Sequence, residues 1–397
     1  MIDIVAILLF VLAFLVGLQS LFFFIEVVAS LRGEPETVAA SAPRSDPLCV
    51  LIPAHDESGL IEKTVTALRA QLTAQDRLLV LADNCSDDTA EKARSAGAEV
   101  IERQDRQKIG KGYALDCGIR HLARGAPPSV VVFVDADCEL ATGSIAALAA
   151  ACSSRGRPVQ ATNLMEADPS AGKTTRIAQF AWKVKNYVRP LGAERLGLPC
   201  QLTGTGMAIP WPLLASVELS TGHIAEDAKL GVELAVQGHA PRFCPPARVT
   251  SRFPVSARGI KEQRIRWEHG HLTMIQQHVP YLLRNAWTKR RPELLALAID
   301  LSIQPLGLFL LTTSALAAAG VTMTLLGASV YFGATTSAPL ALFATAIGLA
   351  WARHGRSIVS SSDLLYAPAY ALSKLPTLWR FLTKRQVVWV RAERNIE

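Results

Sequence analysis

The sequence predicts an α/β domain with a mostly parallel sheet, joined to apolar helices near both ends of the chain that cross a membrane. Three observations indicate this class. Apolar segments alternate with helical patterns over residues 47–137, the stretches 4–28 and 301–352 are almost free of charge, and polar clusters follow the apolar strands. Such an alternation of continuous apolar strands and helices is typical of parallel sheets covered on both faces.

The composition supports a membrane-associated globular protein. Of the 397 residues, 50% are hydrophobic and 19% are charged, whereas soluble domains carry roughly 25% charged residues. Disordered, collagen-like and small disulfide-stapled proteins are therefore excluded. The net charge of +7 suits an anionic lipid surface or a phosphorylated substrate, and we expect no nucleic-acid partner. The seven cysteines stand singly, which indicates small apolar residues in a reducing compartment.

The uncharged stretches predict membrane spans. Residues 4–28 carry one charge, Glu26, and are long enough to cross a bilayer core of about 30 Å as a helix. Residues 301–352 contain no acidic, basic or histidine side chain and predict two further spans, near 303–326 and 337–352. Basic residues flank this pair on both sides, so the positive-inside rule predicts a multi-pass protein of the cytoplasmic (inner) membrane with its soluble domain in the cytoplasm.

These features divide the chain into four predicted parts. They are an N-terminal membrane anchor over 1–30, a polar linker over 31–46, a cytoplasmic domain over 47–285 and a membrane region over 286–397. The last part contains the two C-terminal spans and ends in a basic helical segment that we expect to lie at the membrane interface. A third span within that segment is the alternative.

Carboxylates follow two of the predicted strands, at the sheet edge where parallel α/β folds bind ligands. Asp135 and Asp137 close the strand VVFVDAD and share one face, because alternate residues of a strand point the same way. Such a pair predicts a Mg²⁺ or Mn²⁺ site, although a surface turn gives the same letters. Asp83 ends another strand and can accept hydrogen bonds from a base or ribose, and the residues after it can cap a helix.

Two further motifs precede helices. Lys111 lies between glycines before a helical pattern, where an ammonium group and backbone amides would bind phosphate, unless the segment is a simple loop-to-helix entry. Glu226 and Asp227 begin another helical pattern. They are either first-turn acids that the helix dipole favours or a general base for an attacking hydroxyl.

The last candidate motif is KEQRIRWEHGH, which contains Gln263, Arg266 and Trp267. These side chains offer an amide, a phosphate-binding fork and a flat apolar face. A basic amphipathic helix on the membrane surface is the alternative. The segment 202–210, LTGTGMAIP, brings small residues together and predicts either a loop that lines an acceptor channel or a tight turn.

Together these motifs resemble the processive-type inverting glycosyltransferases of family 2, which include cellulose, hyaluronan and chitin synthases and bacterial exopolysaccharide transferases. The family pattern is D, DxD, ED and QxxRW in that order, and 35 residues separate Asp227 from Gln263 here, as in the family. The resemblance covers about residues 47–270. It implies a GT-A type nucleotide-sugar-binding domain.

The resemblance also implies roles for the donor-binding residues. Asp83 would bind the uracil of a UDP-sugar, and Lys111 would lie near the nucleotide. The segment from Pro53 through His55 to Glu57 would form the first nucleotide-binding loop, with His55 where the family commonly has tyrosine.

The remaining motifs would carry the chemistry. Asp135 and Asp137 would hold Mg²⁺ or Mn²⁺ on the diphosphate. Asp227 would be the catalytic base beside Glu226, in a pair preceded by alanine instead of the family's threonine. The motif of Gln263, Arg266 and Trp267 would close over the diphosphate and the acceptor.

The implied activity is transfer of a sugar from a UDP-sugar to a lipid-linked or growing glycan acceptor, with membrane lipids and polysaccharide-assembly proteins as further partners. A glycolipid synthase resembling the ceramide glucosyltransferases is the alternative transferase. A nucleotidyltransferase or cation-dependent hydrolase could also use the carboxylate pair, but it would not require the motif around Trp267. A membrane scaffold or sensor that binds nucleotide sugars without catalysis is the non-enzymatic alternative.

Overall fold

The computed structural model describes residues 2–33, 46–220, 222–254 and 256–383. In chain order the strands are β1 (Leu48–Ala54), β2 (Arg77–Asp83), β3 (Glu99–Arg103), β4 (Val130–Phe133), β5 (Glu139–Leu140), β6 (Val159–Glu166), β7 (Met207–Pro210) and β8 (Arg242–Arg252). The helices are α1 (Ile2–Ser30), α2 (Ile61–Arg69), α3 (Thr89–Ser95), α4 (Lys111–Leu122), α5 (Ser144–Arg155), α6 (Lys173–Lys183), α7 (Arg189–Arg195), α8 (Trp211–Leu214), α9 (Glu226–Gln237), α10 (Ala257–Lys289), α11 (Pro292–Ser302), α12 (Leu306–Leu325), α13 (Val330–Ala350), α14 (Ser361–Leu364), α15 (Ala367–Leu372) and α16 (Leu375–Thr383). Two π-helical turns, Val184–Val188 and Trp351–Gly355, continue α6 and α13.

The described residues group into two compact units. The sheet unit contains 46–168 and 199–270, and the helical unit contains 2–33, 169–198 and 271–383. This division differs from the predicted one, which placed 169–198 and 271–285 with the cytoplasmic domain. Those segments are helices with mixed polar and apolar residues, and their local sequence does not reveal which unit they pack in.

The sheet unit is built on one eight-stranded sheet in the order β3-β2-β1-β4-β7-β6-β8-β5. Strands β3, β2, β1 and β4 run parallel to one another. Strand β7 is antiparallel to both of its neighbours, β4 and β6, and β5 is antiparallel to β8. The predicted α/β class is confirmed, and the sheet is mixed because parallel pairing dominates only the half that contains the first four strands.

Two apolar layers enclose this sheet. On β1, Leu48, Val50 and Ile52 belong to one buried cluster, and Cys49 and Leu51 belong to the cluster on the opposite face. Helices α2, α3 and α5 contribute to the first layer, and α4, α8 and α9 contribute to the second. The continuous apolar strands follow from this arrangement, because both faces of the parallel half are covered.

The helical unit contains three helices that are long and apolar enough to cross a membrane, at Val5–Ser30, Leu306–Leu325 and Val330–Gly355. These match the N-terminal and C-terminal helices of the predicted fold class. Helices α14 to α16 have at most nine residues, whereas a span needs roughly 20. The predicted linker lies mostly outside the described residues, as do the last basic residues of the predicted interfacial segment, Lys384, Arg385, Arg391 and Arg394.

A buried ionic cluster connects three helices of this unit. The Arg189 guanidinium of α7 donates a hydrogen bond of 2.8 Å to Glu26 of α1 and pairs with Asp300 of α11. All three residues are at most 8% exposed. The guanidinium also lies 5.7 Å from the centre of the Phe23 ring. Since a lone buried charge is costly, these partners are what allows each charged group to stay in the interior.

Candidate active site

A cavity of the sheet unit opens at the carboxyl ends of β1, β2 and β4. Its wall combines the residues after these strands with the start of α4 and with Arg266 of α10. It contains eight of the residues predicted from the sequence, namely Pro53, His55, Glu57, Asp83, Lys111, Asp135, Asp137 and Arg266. Five separate segments supply them, and the parallel half of the sheet brings the three segments at the ends of β1, β2 and β4 to one edge.

The loop after β1 is fixed against the end of β2. His55 Nδ1 lies 2.7 Å from the carbonyl oxygen of Asp83, and the Glu57 amide donates to Thr89 Oγ1 over 2.8 Å. Between them Asp56 has a φ of +51°, a conformation that few residues other than glycine adopt. Its carboxylate accepts a 2.6 Å hydrogen bond from the amide of Ser86, which holds the loop in this shape.

The carboxylate of Asp83 is held by Arg103, which none of the sequence motifs includes, and by Asn84, one of the residues after Asp83 that were expected to cap a helix. Arg103, the last residue of β3, approaches Asp83 Oδ1 to 2.5 Å, and Asn84 Nδ2 lies 3.2 Å from the same oxygen. Asn84 also has a positive φ of +54°. The position of Arg103 at the end of a predicted strand could have indicated this contact. Strands β2 and β3 are adjacent and parallel, and Asp83 and Arg103 are their last residues.

Lys111 occupies the centre of the site. Its ammonium group pairs with Asp135 and donates a 2.8 Å hydrogen bond to the carbonyl oxygen of Gly204. Burial lowers the pKa of Lys111, but Asp135, Glu226 and Asp227 outweigh this effect, and the resulting pKa is above the ordinary value. Lys111 therefore stays charged.

The predicted metal ligands lie side by side after β4. Carboxylate oxygens of Asp135 and Asp137 and the Cys138 sulfur lie within 4.8 Å of one another. Burial, with a further contribution from the two carboxylates, raises the pKa of Cys138, so its thiol remains neutral. A neutral thiol is a poor ligand for a hard cation, which leaves two carboxylate groups. That donor set fits Mg²⁺ or Mn²⁺, which commonly take one or two carboxylates and complete their shell with phosphate oxygens and water.

The segment 202–210 is a glycine-rich loop followed by β7. Gly204 has a φ of +82°, and a Cβ at that residue would lie 3.0 Å from Asp227 Oδ2 and 3.3 Å from Lys111 Nζ. Thr205 Oγ1 accepts a 3.1 Å hydrogen bond from the Asp135 amide. The loop therefore lies next to the candidate base, the lysine and a candidate metal ligand. Its small residues predicted only an acceptor-channel loop or a tight turn.

Glu226 and Asp227 form the first turn of α9, as the sequence predicts. They line a smaller cavity of the sheet unit, separate from the one described above, together with residues that include Gly112 and Leu115 of α4. Burial, followed by the charge of Asp227, raises the pKa of Glu226 to about 8. Gly204 lies close to one residue of each cavity, because a Cβ added to it would be 3.3 Å from Lys111 Nζ and 3.0 Å from Asp227 Oδ2.

The QxxRW motif lies on α10. Gln263 is buried, and Arg266 and Trp267 are partly buried. Their spacing of three and four residues places them on one face of the helix. Only Arg266 of the three reaches the wall of the larger cavity.

Comparison with known proteins identifies the sheet unit. A family model described as "Glycosyltransferase like family 2" matches residues 43–270. No curated protein matches the chain. Among solved structures, a mannosyltransferase from Pyrobaculum calidifontis, determined with GDP-Man and Mn²⁺, has a TM-score of 0.58 at 19% identity and covers 97% of this chain and 100% of its own. Glucosyl-3-phosphoglycerate synthase from Mycobacterium tuberculosis, determined with Mg²⁺ and UDP, has a TM-score of 0.36 at 22% identity, over 51% of this chain and 71% of its own.

The match to the family model spans more than half of the chain and contains every predicted site residue. The likeness to the Pyrobaculum enzyme supports the GT-A fold. The domain is therefore of the kind that uses nucleotide sugars, and the protein belongs to the glycosyltransferase family 2-like proteins.

Proposed function

We propose that this protein is an inverting, metal-dependent transferase that moves a sugar from a UDP-sugar to a lipid-linked or growing glycan acceptor at the cytoplasmic face of the membrane. The observation that carries the proposal is the arrangement around Gly204. A partly buried cationic lysine, a candidate metal ligand and a candidate base meet there. Lys111 pairs with Asp135, and Asp227 lies close to the glycine. Phosphate binding and proton transfer would thus take place within one site.

The donor would bind along the carboxyl ends of the parallel strands. Asp83 would accept a hydrogen bond from the base, and the loop with Pro53, His55 and Glu57 would contact the nucleoside. All four residues line the same cavity. The partial exposure of the His55 ring, 32% for the side chain, leaves a face against which a base could pack.

The diphosphate would lie toward the start of α4. A Mg²⁺ or Mn²⁺ ion held by Asp135 and Asp137 would supply positive charge that stabilises the departing UDP. Lys111 would add a fixed positive charge, and Arg266 would offer a two-point contact to phosphate oxygens. Charge placed in advance where it develops in the transition state is a major source of rate enhancement.

Asp227 would act as the general base. It would take the proton of the acceptor hydroxyl while that oxygen bonds to the anomeric carbon and the bond to UDP breaks, so the configuration inverts. The raised pKa of Glu226 is consistent with this assignment, because a proton held by Glu226 removes its negative charge from beside the candidate base. A base of this kind contributes roughly 100-fold or more to turnover.

The residues outside the sheet unit support the proposed membrane location and the proposed class of acceptor. The same chain carries three helices able to span a bilayer. Basic residues at 284–291 and 353–356 flank the C-terminal pair, which supports a cytoplasmic catalytic domain. An acceptor anchored in that membrane, such as a lipid-linked saccharide of cell-surface glycan assembly, would be supplied at the same surface.

The decisive experiment identifies donor and acceptor together. Purified protein in detergent would be incubated with a panel of UDP-sugars, with GDP-mannose included, in the presence of Mn²⁺ or Mg²⁺ and a membrane lipid extract. Mass spectrometry of the lipids and measurement of released nucleotide give the readout. A product formed only with GDP-mannose would mean that the donor is a GDP-sugar and not a UDP-sugar. Absence of any sugar transfer would contradict the proposed transferase function.

Two variants test the mechanism in the same assay. We expect Asp227→Asn to retain UDP binding and to lower turnover by about 100-fold or more. Asp116→Asn, which changes a half-buried carboxylate on α4 that pairs with Arg120, is the matched control and should keep its activity. Near-full transfer by the Asp227 variant would remove this residue from the mechanism.

A further inference from the structure

The nucleotide end of the cavity contains an ion pair between neighbouring strands. Asp83 and Arg103 stand opposite each other in the register of β2 and β3. Their side chains are 10% and 12% exposed, so the pair is largely shielded from water. Shielding matters because an exposed pair would be screened and loosely held, whereas this one fixes the orientation of both groups.

Arg103 connects the end of β2 to the following loop. One terminal nitrogen, Nη1, approaches Asp83 Oδ1 to 2.5 Å, and the other, Nη2, donates 2.8 Å to the carbonyl oxygen of Lys108 and 3.1 Å to Asp105. The loop it holds leads directly to Ile109 and Gly110, which line the cavity. The guanidinium also lies 6.0 Å from the centre of the ring of Tyr113.

The two oxygens of the Asp83 carboxylate differ in their hydrogen bonds. Oδ1 interacts with Arg103 and with Asn84 Nδ2. Among the described residues, none donates a hydrogen bond to Oδ2. Because Asp83 lines the cavity, a ligand there would meet a carboxylate with one oxygen already bonded by Arg103 and Asn84.

The two common nucleobases of sugar donors differ at the edge that such a carboxylate would read. Uracil presents a single N–H group between two carbonyl oxygens, so one acceptor oxygen satisfies it. Guanine presents two adjacent donors, a ring N–H and an amino group, and is matched best by a carboxylate with both oxygens free. A buried donor left without a partner costs a ligand much of its affinity.

We propose that Arg103 is a positioning residue that makes the site selective for uracil over guanine nucleotides, by occupying one oxygen of Asp83. The inference rests on the proposed function, because it assumes that this cavity binds the donor nucleotide. It adds which property of the base is read and which residue sets it. Arg103 acts through Asp83 and through the loop, without touching the reacting atoms.

The test measures dissociation constants for UDP and GDP by calorimetry, with the full-length protein in detergent and Mn²⁺ present. We expect the wild type to bind UDP at least tenfold more tightly than GDP. In Arg103→Met the ratio of the two constants should fall by on the order of tenfold, the range of one charge-assisted hydrogen bond. Arg103→Ala gives the same comparison if the methionine variant does not fold.

Two controls separate selectivity from loop support. Asp105 accepts hydrogen bonds from the amides of Gln107 and Lys108 and from Arg103 Nη2, so Asp105→Ala loosens the loop. Arg103 keeps its bonds to Asp83 and to the carbonyl oxygen of Lys108 in this variant. It should weaken both nucleotides equally and leave the ratio unchanged. Arg103→Lys keeps a cationic donor toward Asp83 and should retain most of the selectivity.

The outcomes distinguish this inference from the proposed function. A wild type that prefers UDP, with the same ratio in Arg103→Met as in Asp105→Ala, would overturn the role of Arg103 and leave the transferase intact. Equal affinity of the wild type for UDP and GDP would also overturn it. Failure of the wild type to bind either nucleotide would reject the donor cavity itself, and the proposed function with it.

Discussion

Replacing Gly204 by alanine adds one methyl group beside the candidate base. The new Cβ would lie 3.0 Å from Asp227 Oδ2, whereas ordinary van der Waals contact begins near 3.4 Å. Asp227 or the loop must therefore move by about 0.4 Å. A misplacement of about 1 Å at a reacting group can cost roughly 100-fold in rate, so a shift of this size predicts a loss of about five- to tenfold.

The substitution also strains the backbone, and that effect has to be separated from the steric one. Gly204 has a φ of +82°. Gly143, just before α5, has a φ of +81°, and a Cβ added there would meet no atom within 4 Å. An alanine at either position costs about 1–2 kcal/mol of folding free energy. Gly143→Ala is thus a control with the same backbone penalty and no new contact.

The assay compares both variants with the wild type, with turnover measured as nucleotide released per enzyme and stability measured by thermal unfolding in detergent. Both variants should lose similar stability. Only Gly204→Ala should lose turnover, because only its Cβ would approach Asp227 Oδ2 and Lys111 Nζ. Equal turnover in the two variants would refute the close approach of this loop to the base.

Three further predictions concern stability. Arg189→Met leaves the buried carboxylates of Glu26 and Asp300 without their cation and should lower the unfolding free energy by about 3–5 kcal/mol. Arg94→Ala removes an exposed ion pair and should change the unfolding free energy by less than about 1 kcal/mol. Equal changes in the two variants would contradict the role of the buried cluster. Gly192→Ala places a Cβ 1.8 Å from the backbone oxygen of Glu26 and should disrupt the packing of α7 on α1, while Gly172→Ala meets nothing within 4 Å and should be tolerated in the same melting experiment. The pKa of Glu226, raised to about 8 from 4.5, means that the folded protein holds this proton more tightly than the unfolded chain. Stability should therefore fall as pH rises from about 5 to 8, and Glu226→Gln should flatten this dependence, whereas the exposed Glu62→Gln should not.

Much of the fold and of the candidate site could be predicted from local sequence. The predicted alternation of apolar strands and helices over residues 47–137 is present, because continuous apolar runs of strand length bounded by polar residues are typical of strands buried on both faces. Asp83 ends β2 as predicted. The prediction that Asp135 and Asp137 close a strand is wrong, because β4 ends at Phe133 and the pair lies in the turn that follows, so strand alternation is not what brings the two carboxylates together. Parallel pairing then brought these carboxylates to one edge without any further information.

The contacts that complete the site depend on residues distant in sequence. Gly204 lies 93 residues from Lys111 yet accepts its hydrogen bond, and the placement of Asp227 in a neighbouring cavity depends on how α9 packs beside α4. No periodicity encodes such pairings, because they arise only when separate elements close on one another. The bond between Arg103 and one oxygen of Asp83 likewise depends on tertiary structure, because it requires the alignment of strands β2 and β3.

The sequence by itself determined the α/β class, the three apolar helices and the order of the acidic and basic motifs, because each depends on hydrophobic patterning or on neighbouring residues. Only the tertiary structure decided that 169–198 packs with the helical unit, that Arg189 pairs with Glu26 and Asp300, and that the sheet turns antiparallel at β7. Each of these features depends on contacts between segments that are far apart in the sequence. Their free energies depend on which distant groups meet, and a local pattern does not contain that information.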